Sequence, residues 1–131
     1  MQFAWKLPFG ILAASFLTLN AVADEGCKNP KTPYDQTYCT AKLFLESDNE
    51  LNESFKELKG HLKKKEASQQ LIKVQRKWIE FRNQNCSQAG SINVACNFEV
   101  NKNRTDFFRN RARECKVGHC REDLMFTETF K

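Results

Sequence analysis

Residues 71–86 read LIKVQRKWIEFRNQNC, and this stretch has a clear helical period. Its large apolar residues recur every three or four positions, and charged residues occupy the opposite side. The apolar face holds Leu71, Val74, Trp78 and Phe81. This spacing is typical of an amphipathic α-helix that buries one face. We predict a helix over residues 68–86, with Ser68 as its N-cap.

Two further segments show the same period. Thr32 followed by Pro33 is a helix-start signal, which predicts a long first helix over residues 33–64. Its apolar face is expected to hold Tyr38, Ala41, Leu45, Phe55, Leu58 and Leu62. A third helix is predicted over residues 93–114, with Val94, Phe98, Phe108 and Ala112 aligned. The sequence therefore predicts an all-α fold, a small disulfide-stapled three-helix bundle with a long first helix.

The connecting and terminal segments are less regular. A loop containing Ala89, Gly90 and Ser91 should join the second and third helices, and Gly118 is a candidate helix stop. Residues 119–131 show no clear period. The sequence is compatible with a loose tail and with a tail that packs back through Met125, Phe126 and Phe130.

The amino terminus has the pattern of a secretory leader. Residues 7–19 are mostly apolar but too short for a comfortable membrane span, and Ala21 and Ala23 are the small residues that precede a cleavage site. We expect residues 1–23 to be a signal peptide, with cleavage before Asp24. An uncleaved anchor is the alternative. The mature chain would divide into a helical domain over residues 24–115 and a tail over residues 116–131, without a membrane span.

Six cysteines in 131 residues indicate a disulfide framework, since export would place them where thiols oxidise. Proximity in the predicted fold favours three local pairs. These are Cys27–Cys39, Cys86–Cys96 and Cys115–Cys120. A zinc site at Cys115, His119 and Cys120 is the rival, but its spacing matches no common zinc pattern. We expect no metal and no cofactor.

Polar residues also occur on the apolar faces of the predicted helices. They are Asp48, Asn52, Gln75, Arg82, Asn101 and Arg104. Because a buried charge needs a partner, we predict that Asp48 pairs with Arg82 or Arg104. Asn52 and Gln75 should complete the hydrogen bonds. We interpret this network as one that fixes helix register; a binding pocket is the functional alternative.

These residues also carry a family resemblance. The string Asp48-x-x-Leu51-Asn52-x-x-Phe55, the string Gln75-Arg76-x-Trp78-Ile79-x-Phe81-Arg82-x-x-x-Cys86, then Cys96 and Arg104-Thr105 resemble the LprI-like lysozyme inhibitors, exported bacterial proteins. The resemblance covers about residues 27–108. It implies the family's fold and periplasmic or secreted localisation. It also implies that the protein binds and inhibits a cell-wall lytic enzyme, with lysozyme or another cationic lytic enzyme as its partner. Phe55 and Asn83 depart from the family pattern, which usually has Tyr and often Asp at these positions.

Charge offers a candidate contact surface for such a partner. The net charge is +5, yet residues 24–58 hold eight acids and four bases, and residues 59–131 hold sixteen bases and eight acids. Five acids share one side of the first helix. They are Asp35, Glu46, Glu50, Glu53 and Glu57. We call them the acidic stripe; a plain solvated helix face is the alternative interpretation.

The sequence also bears on other classes of function. Neither His61 nor His119 has a catalytic partner at a mechanistic spacing, so we predict a binding protein rather than an enzyme. One alternative is a basic binder of an anionic envelope component, through Lys63–Lys65 and Arg109, Arg111 and Arg113. Another is a structural envelope protein without inhibitory activity. Export disfavours nucleic acid, and the oligomeric state is open.

Overall fold

The computed structural model describes residues 27–130, and the predicted leader lies outside this range. The described chain is mostly helical and contains three disulfides. The helices are α1 (Pro33–His61), α2 (Lys65–Asn85), α3 (Val94–Lys116) and the short α4 (Glu122–Met125). Two short strands, β1 (Ser87–Gln88) and β2 (Ser91–Ile92), lie between α2 and α3. None of the helices in this range combines the length and the apolar character that a membrane crossing requires.

The start of α1 is fixed by a capping box. The Asp35 N–H donates to the Thr32 hydroxyl at 3.1 Å, and the Thr32 N–H donates to the Asp35 carboxylate at 3.0 Å. These bonds satisfy two backbone donors that the first helical turn leaves free, and Pro33 needs no such partner. The predicted first residue of α1 is therefore confirmed.

The start of α2 differs from the prediction. The helix begins at Lys65 with Lys64 as its N-cap, and no side chain caps it. Ser68 lies inside the first turn, so its predicted capping role is wrong. The lysine-rich segment therefore belongs partly to the helix, since lysine has a higher helix propensity than serine.

The predicted loop after α2 is a short β-hairpin. β1 and β2 pair antiparallel, with Ser87 opposite Ile92 and Gln88 opposite Ser91. The turn residues Ala89 and Gly90 both have positive φ, as a tight hairpin turn with right-handed strand twist requires.

The ends of α3 lie close to the predicted positions. The Asn93 side chain accepts from the Cys96 N–H at 3.0 Å and caps the start of the helix. At the other end Gly118 has a φ of +87°, and the N–H of His119 reaches the carbonyl of Glu114 at 2.9 Å. This left-handed glycine ends the helix, because the chain turns there without a Cβ penalty.

The core draws side chains from every helix. The residues that share it are Leu51 and Leu58 of α1, Leu71 and Trp78 of α2, Phe108 and Ala112 of α3, and Met125 of α4. The carboxyl-terminal tail packs back onto the helices, which was one of the two possibilities left open by the sequence. Met125 is fully buried, and the ring of Phe130 lies 5.6 Å from that of Phe81.

The face of α1 that packs inward agrees with the predicted one only in part: Leu58 lies in the core and Phe55 and Leu62 pack against it, as predicted. Tyr38 and Leu45 are exposed, whereas Ser47, Leu51, Ser54 and Leu58 are buried. The hydroxyls of Ser47 and Ser54 donate to the carbonyls of Phe44 and Leu51, at 2.7 and 2.9 Å, so their burial leaves no free donor. Small side chains allow α1 and α3 to approach closely, and these two helices share the most extensive packing in the described chain.

Candidate functional site

The polar residues of the three long helices meet in one network. Arg82 of α2 donates through Nη1 to Asp48 Oδ1 at 3.1 Å and to Asn101 Oδ1 at 2.9 Å. Asn101 in turn donates to Asp48 at 3.3 Å and to the Ser47 hydroxyl at 3.3 Å. The structure therefore places Asp48 with Arg82, one of the two partners that the sequence offered.

The other predicted members of this network are divided. Asn52 donates to Asp48 Oδ2 at 3.4 Å from an exposed position. Gln75 lies elsewhere: its Oε1 accepts from Arg104 Nε at 3.1 Å. The network thus separates into an Asp48–Arg82–Asn101 cluster and a Gln75–Arg104 pair. The guanidinium of Arg82 lies 5.5 Å from the Trp78 ring centre and that of Arg104 lies 5.7 Å from it.

The acidic stripe lies on the outside of α1. Glu46, Glu50, Glu53 and Glu57 are exposed, and Asp35 is half-buried. Three of the five have a local role. Asp35 belongs to the capping box, Glu46 Oε1 lies 3.7 Å from Lys42 Nζ, and Glu50 Oε2 lies 3.1 Å from Arg109 Nη2.

The remaining two acids are free for contact. Glu53 and Glu57 form no ion pair with any residue in the range 27–130. Hydrogen bonds from Thr32, first from its side chain and then from its backbone N–H, hold the pKa of Asp35 below its ordinary value. Asp35 is therefore committed to the helix start, and the acidic stripe is open mainly at its carboxyl-terminal end.

The first half of α1 also carries an exposed apolar stripe. Tyr34 is 78% exposed, Tyr38 51% and Leu45 61%, all in the first half of α1. At 100° per residue this stripe and the acidic stripe lie about 100° apart, one on each side of the outward direction of the helix. The helical period predicts Tyr38 and Leu45 on the buried face, and the structure shows that this prediction is wrong. Periodicity finds an apolar face, but it does not tell whether another helix covers that face.

The arginines of the predicted basic surface are largely engaged. Arg109 pairs with Glu50, and Arg111 Nη2 lies 2.7 Å from Glu114 Oε1. Arg113 donates to Asn110 on its own helix. Of the basic residues in that prediction, Lys63, Lys64 and Lys65 are the ones that stand exposed at the α1–α2 connection.

All the cysteine sulfur atoms of the described chain are in disulfides. The disulfides join Cys27 to Cys39, Cys86 to Cys96 and Cys115 to Cys120, and the described chain has no free cysteine. Between residues 27 and 130 no group of three or more His, Cys, Asp or Glu side chains is arranged to hold a metal ion. His119 therefore has no thiol partners for the rival zinc site.

Fold and surface together define a class: a small, disulfide-bonded helical protein with an acidic and an apolar stripe on its longest helix. The family described as "Lysozyme inhibitor LprI" matches residues 27–108. The match covers more than half of the chain, so the protein belongs to the LprI family of lysozyme inhibitors. Comparison with curated proteins and with solved structures gives no significant match.

Proposed function

We propose that the protein is exported to the periplasm or the medium and there binds and inhibits a lysozyme. Family membership supports an inhibitor rather than an enzyme, and three disulfides suit an oxidising compartment. The proposed scaffold is a three-helix bundle, in which Asp48, Asn52, Gln75, Trp78, Arg82 and Arg104 hold the helices in register.

The observation that carries the proposed contact is the outer face of α1. It carries exposed tyrosines in its first half and the unpaired carboxylates of Glu53 and Glu57 in its second half, and the stretch from Tyr34 to Glu57 is about 35 Å long at 1.5 Å per residue. Tyrosine is enriched at the centres of protein interfaces, where its ring is buried and its hydroxyl still bonds. Carboxylates on the same helix attract a basic partner, and animal-type lysozymes are basic.

The whole chain carries a net positive charge, which opposes long-range attraction to a basic enzyme. The segregation of charge answers this objection in part. Glu53 and Glu57 belong to the acidic part of the chain, residues 24–58, and salt screens repulsion from charges more than about 10 Å away. Contact through one face can therefore be favourable although the total charges have the same sign.

The test is charge reversal at the two unpaired acids, Glu53→Lys with Glu57→Lys. Inhibition of lysozyme, measured by the clearing of bacterial walls at low salt, should weaken by about tenfold or more, because two attractive contacts become repulsive. The matched control is Glu80→Lys with Glu99→Lys, which changes the total charge equally on exposed sites of α2 and α3.

Two results would contradict the proposal. If the wild-type protein leaves lysozyme fully active, the inhibitory function is wrong. If both double variants lose inhibition to the same degree, total charge matters and the outer face of α1 is not the contact. The basic-binder alternative predicts instead that an anionic glycan column retains the protein through Lys63–Lys65.

A further inference from the structure

A cavity of about 310 Å³ lies between α2, α3 and the carboxyl-terminal segment, away from the outer face of α1. Trp78, Phe107 and Phe130 supply aromatic walls, and Thr127 and Thr129 add polar groups. Arg104 also lines it and is the charged residue there. This volume is at the lower end of the range of small-molecule sites, and apolar walls with a few polar groups are typical of such sites.

Arg104 is buried without a counter-ion. The residue is only 7% exposed, and it takes part in none of the ion pairs among residues 27–130. Its Nε donates to Gln75, whereas Nη2 is buried and has no hydrogen-bond partner. Burial lowers the pKa of Arg104 to about 10, so the guanidinium still carries its charge at neutral pH.

Contacts with aromatic rings stabilise the Arg104 guanidinium but do not satisfy its N–H donors. The guanidinium carbon lies 4.6 Å from the ring centre of Phe108, 4.7 Å from that of Phe107 and 5.6 Å from that of Phe130. Such contacts stabilise the cation through the ring faces. Arginine also has five N–H donors in the plane of its guanidinium, and these need oxygen acceptors. One acceptor, Gln75, is present.

We propose that this cavity binds a carboxylate group joined to an apolar body. A carboxylate accepts strong, charge-assisted hydrogen bonds from a guanidinium, and burial strengthens such a pair. No Asp or Glu of the described chain lines the cavity, so nothing there competes for Arg104. Trp78, Phe107 and Phe130 would contact the apolar body, and the Thr127 and Thr129 hydroxyls would accept or donate at the edge.

The ligand could be a free organic acid or the carboxyl end of a peptide, and two probe pairs separate these sources. The full chain is titrated with benzoate and with benzamide, and then with N-acetyl-alanyl-phenylalanine and its carboxyl-terminal amide. The readout is the NMR shift of the Arg104 Nε–H and of the Trp78 indole N–H. If an acid binds and its amide does not, the proposal is supported, and the acid that binds identifies the source of the carboxylate.

Three results would overturn it. In the first, neither the acids nor inorganic phosphate shift these signals. In the second, each amide binds as well as its acid. In the third, inorganic phosphate shifts the signals and the acids do not. The first two results mean that the aromatic rings and Gln75 are sufficient for Arg104. The third means that the cavity takes a different anion.

A variant test avoids disturbing the core. Asn103 is an exposed residue of α3 that lines the cavity, so Asn103→Asp places a competing carboxylate there with little risk to folding. We expect it to weaken acid binding by about tenfold or more, since it offers Arg104 an intramolecular partner. Asn110→Asp is the matched control, the same change on the same helix at an exposed site outside the cavity. Equal binding by the two variants would contradict a role for Arg104.

Discussion

Asp48 and Arg82 show how strongly exposure changes the value of an ion pair. The side chain of Asp48 is 39% exposed and that of Arg82 is 15% exposed. From sequence alone the pair would count as buried, and loss of one partner would cost about 3–5 kcal/mol. Water reaches Asp48 in the structure, so Arg82 would not be left as an isolated charge in an apolar core.

We therefore expect Asp48→Ala to lower the free energy of unfolding by about 1–2 kcal/mol, mostly through lost hydrogen bonds to Arg82 and Asn101. Urea denaturation followed by circular dichroism measures the change. Glu50→Ala is the control, because its pair with Arg109 is more exposed on both sides and should contribute less than about 0.5 kcal/mol. Equal losses in the two variants would contradict this difference.

Asp35 gives a prediction about pH. Its pKa is lowered chiefly by the hydrogen bond to the Thr32 side chain. A carboxyl with a lowered folded-state pKa stabilises the fold at pH values above its unfolded pKa, and this contribution is lost as the pH falls through the folded value. The start of α1 should accordingly loosen in acid before the helix centre does.

The test is Thr32→Ala, which should raise the pKa of Asp35 toward its ordinary value, as followed by NMR titration of the carboxyl carbon. Thr37→Ala is a suitable control, since the Thr37 hydroxyl donates to the Pro33 carbonyl and does not reach Asp35. An unchanged Asp35 titration in Thr32→Ala would mean that the capping box does not set this pKa.

At the scale of elements, α4 shows that the segment after the family match is part of the core. The match ends at residue 108, yet Met125 of α4 is fully buried among core residues. The short helix has no side-chain cap, so its position depends on this packing rather than on its own stability.

Met125→Ala should therefore destabilise the protein by about 2–4 kcal/mol, as the loss of a buried side chain leaves a cavity. Met125→Leu keeps the volume and should cost less than about 1.5 kcal/mol. Chemical denaturation of the two variants gives both values. If Met125→Ala behaves like a surface substitution, the segment does not pack on the core in solution.

For the whole molecule, local signals were sufficient to predict the three long helices. Helix period and capping residues depend on nearby sequence, so the starts at Pro33 and Val94 were found within one residue. The inward face of α1 depends on where α3 lies, and period alone could not show that serines would face it. Residues 63–65 are lysines, which suit a linker as well as a helix. The predicted start of α2 was therefore three residues too late.

Prediction of the candidate sites has a similar limit. Exposure of Glu46, Glu50, Glu53 and Glu57 follows from the helical wheel, and the structure places all four outside. The cavity at Arg104 could not be predicted, because its wall includes Phe130 from a segment without any period. The position of Arg104 on an apolar helix face indicated that its charge would be buried. It did not indicate that the charge would lack a counter-ion.

The cysteine pairs have a consequence for how the chain reaches its oxidised state. They span 12, 10 and 5 residues, and every other pairing of the six cysteines would close a longer loop. Short loops cost less entropy to close, so collisions in the unfolded polypeptide favour the native partners before any helix has formed. Correct oxidation is thus the statistically preferred outcome, and the nascent protein has little need of an isomerase to unscramble it.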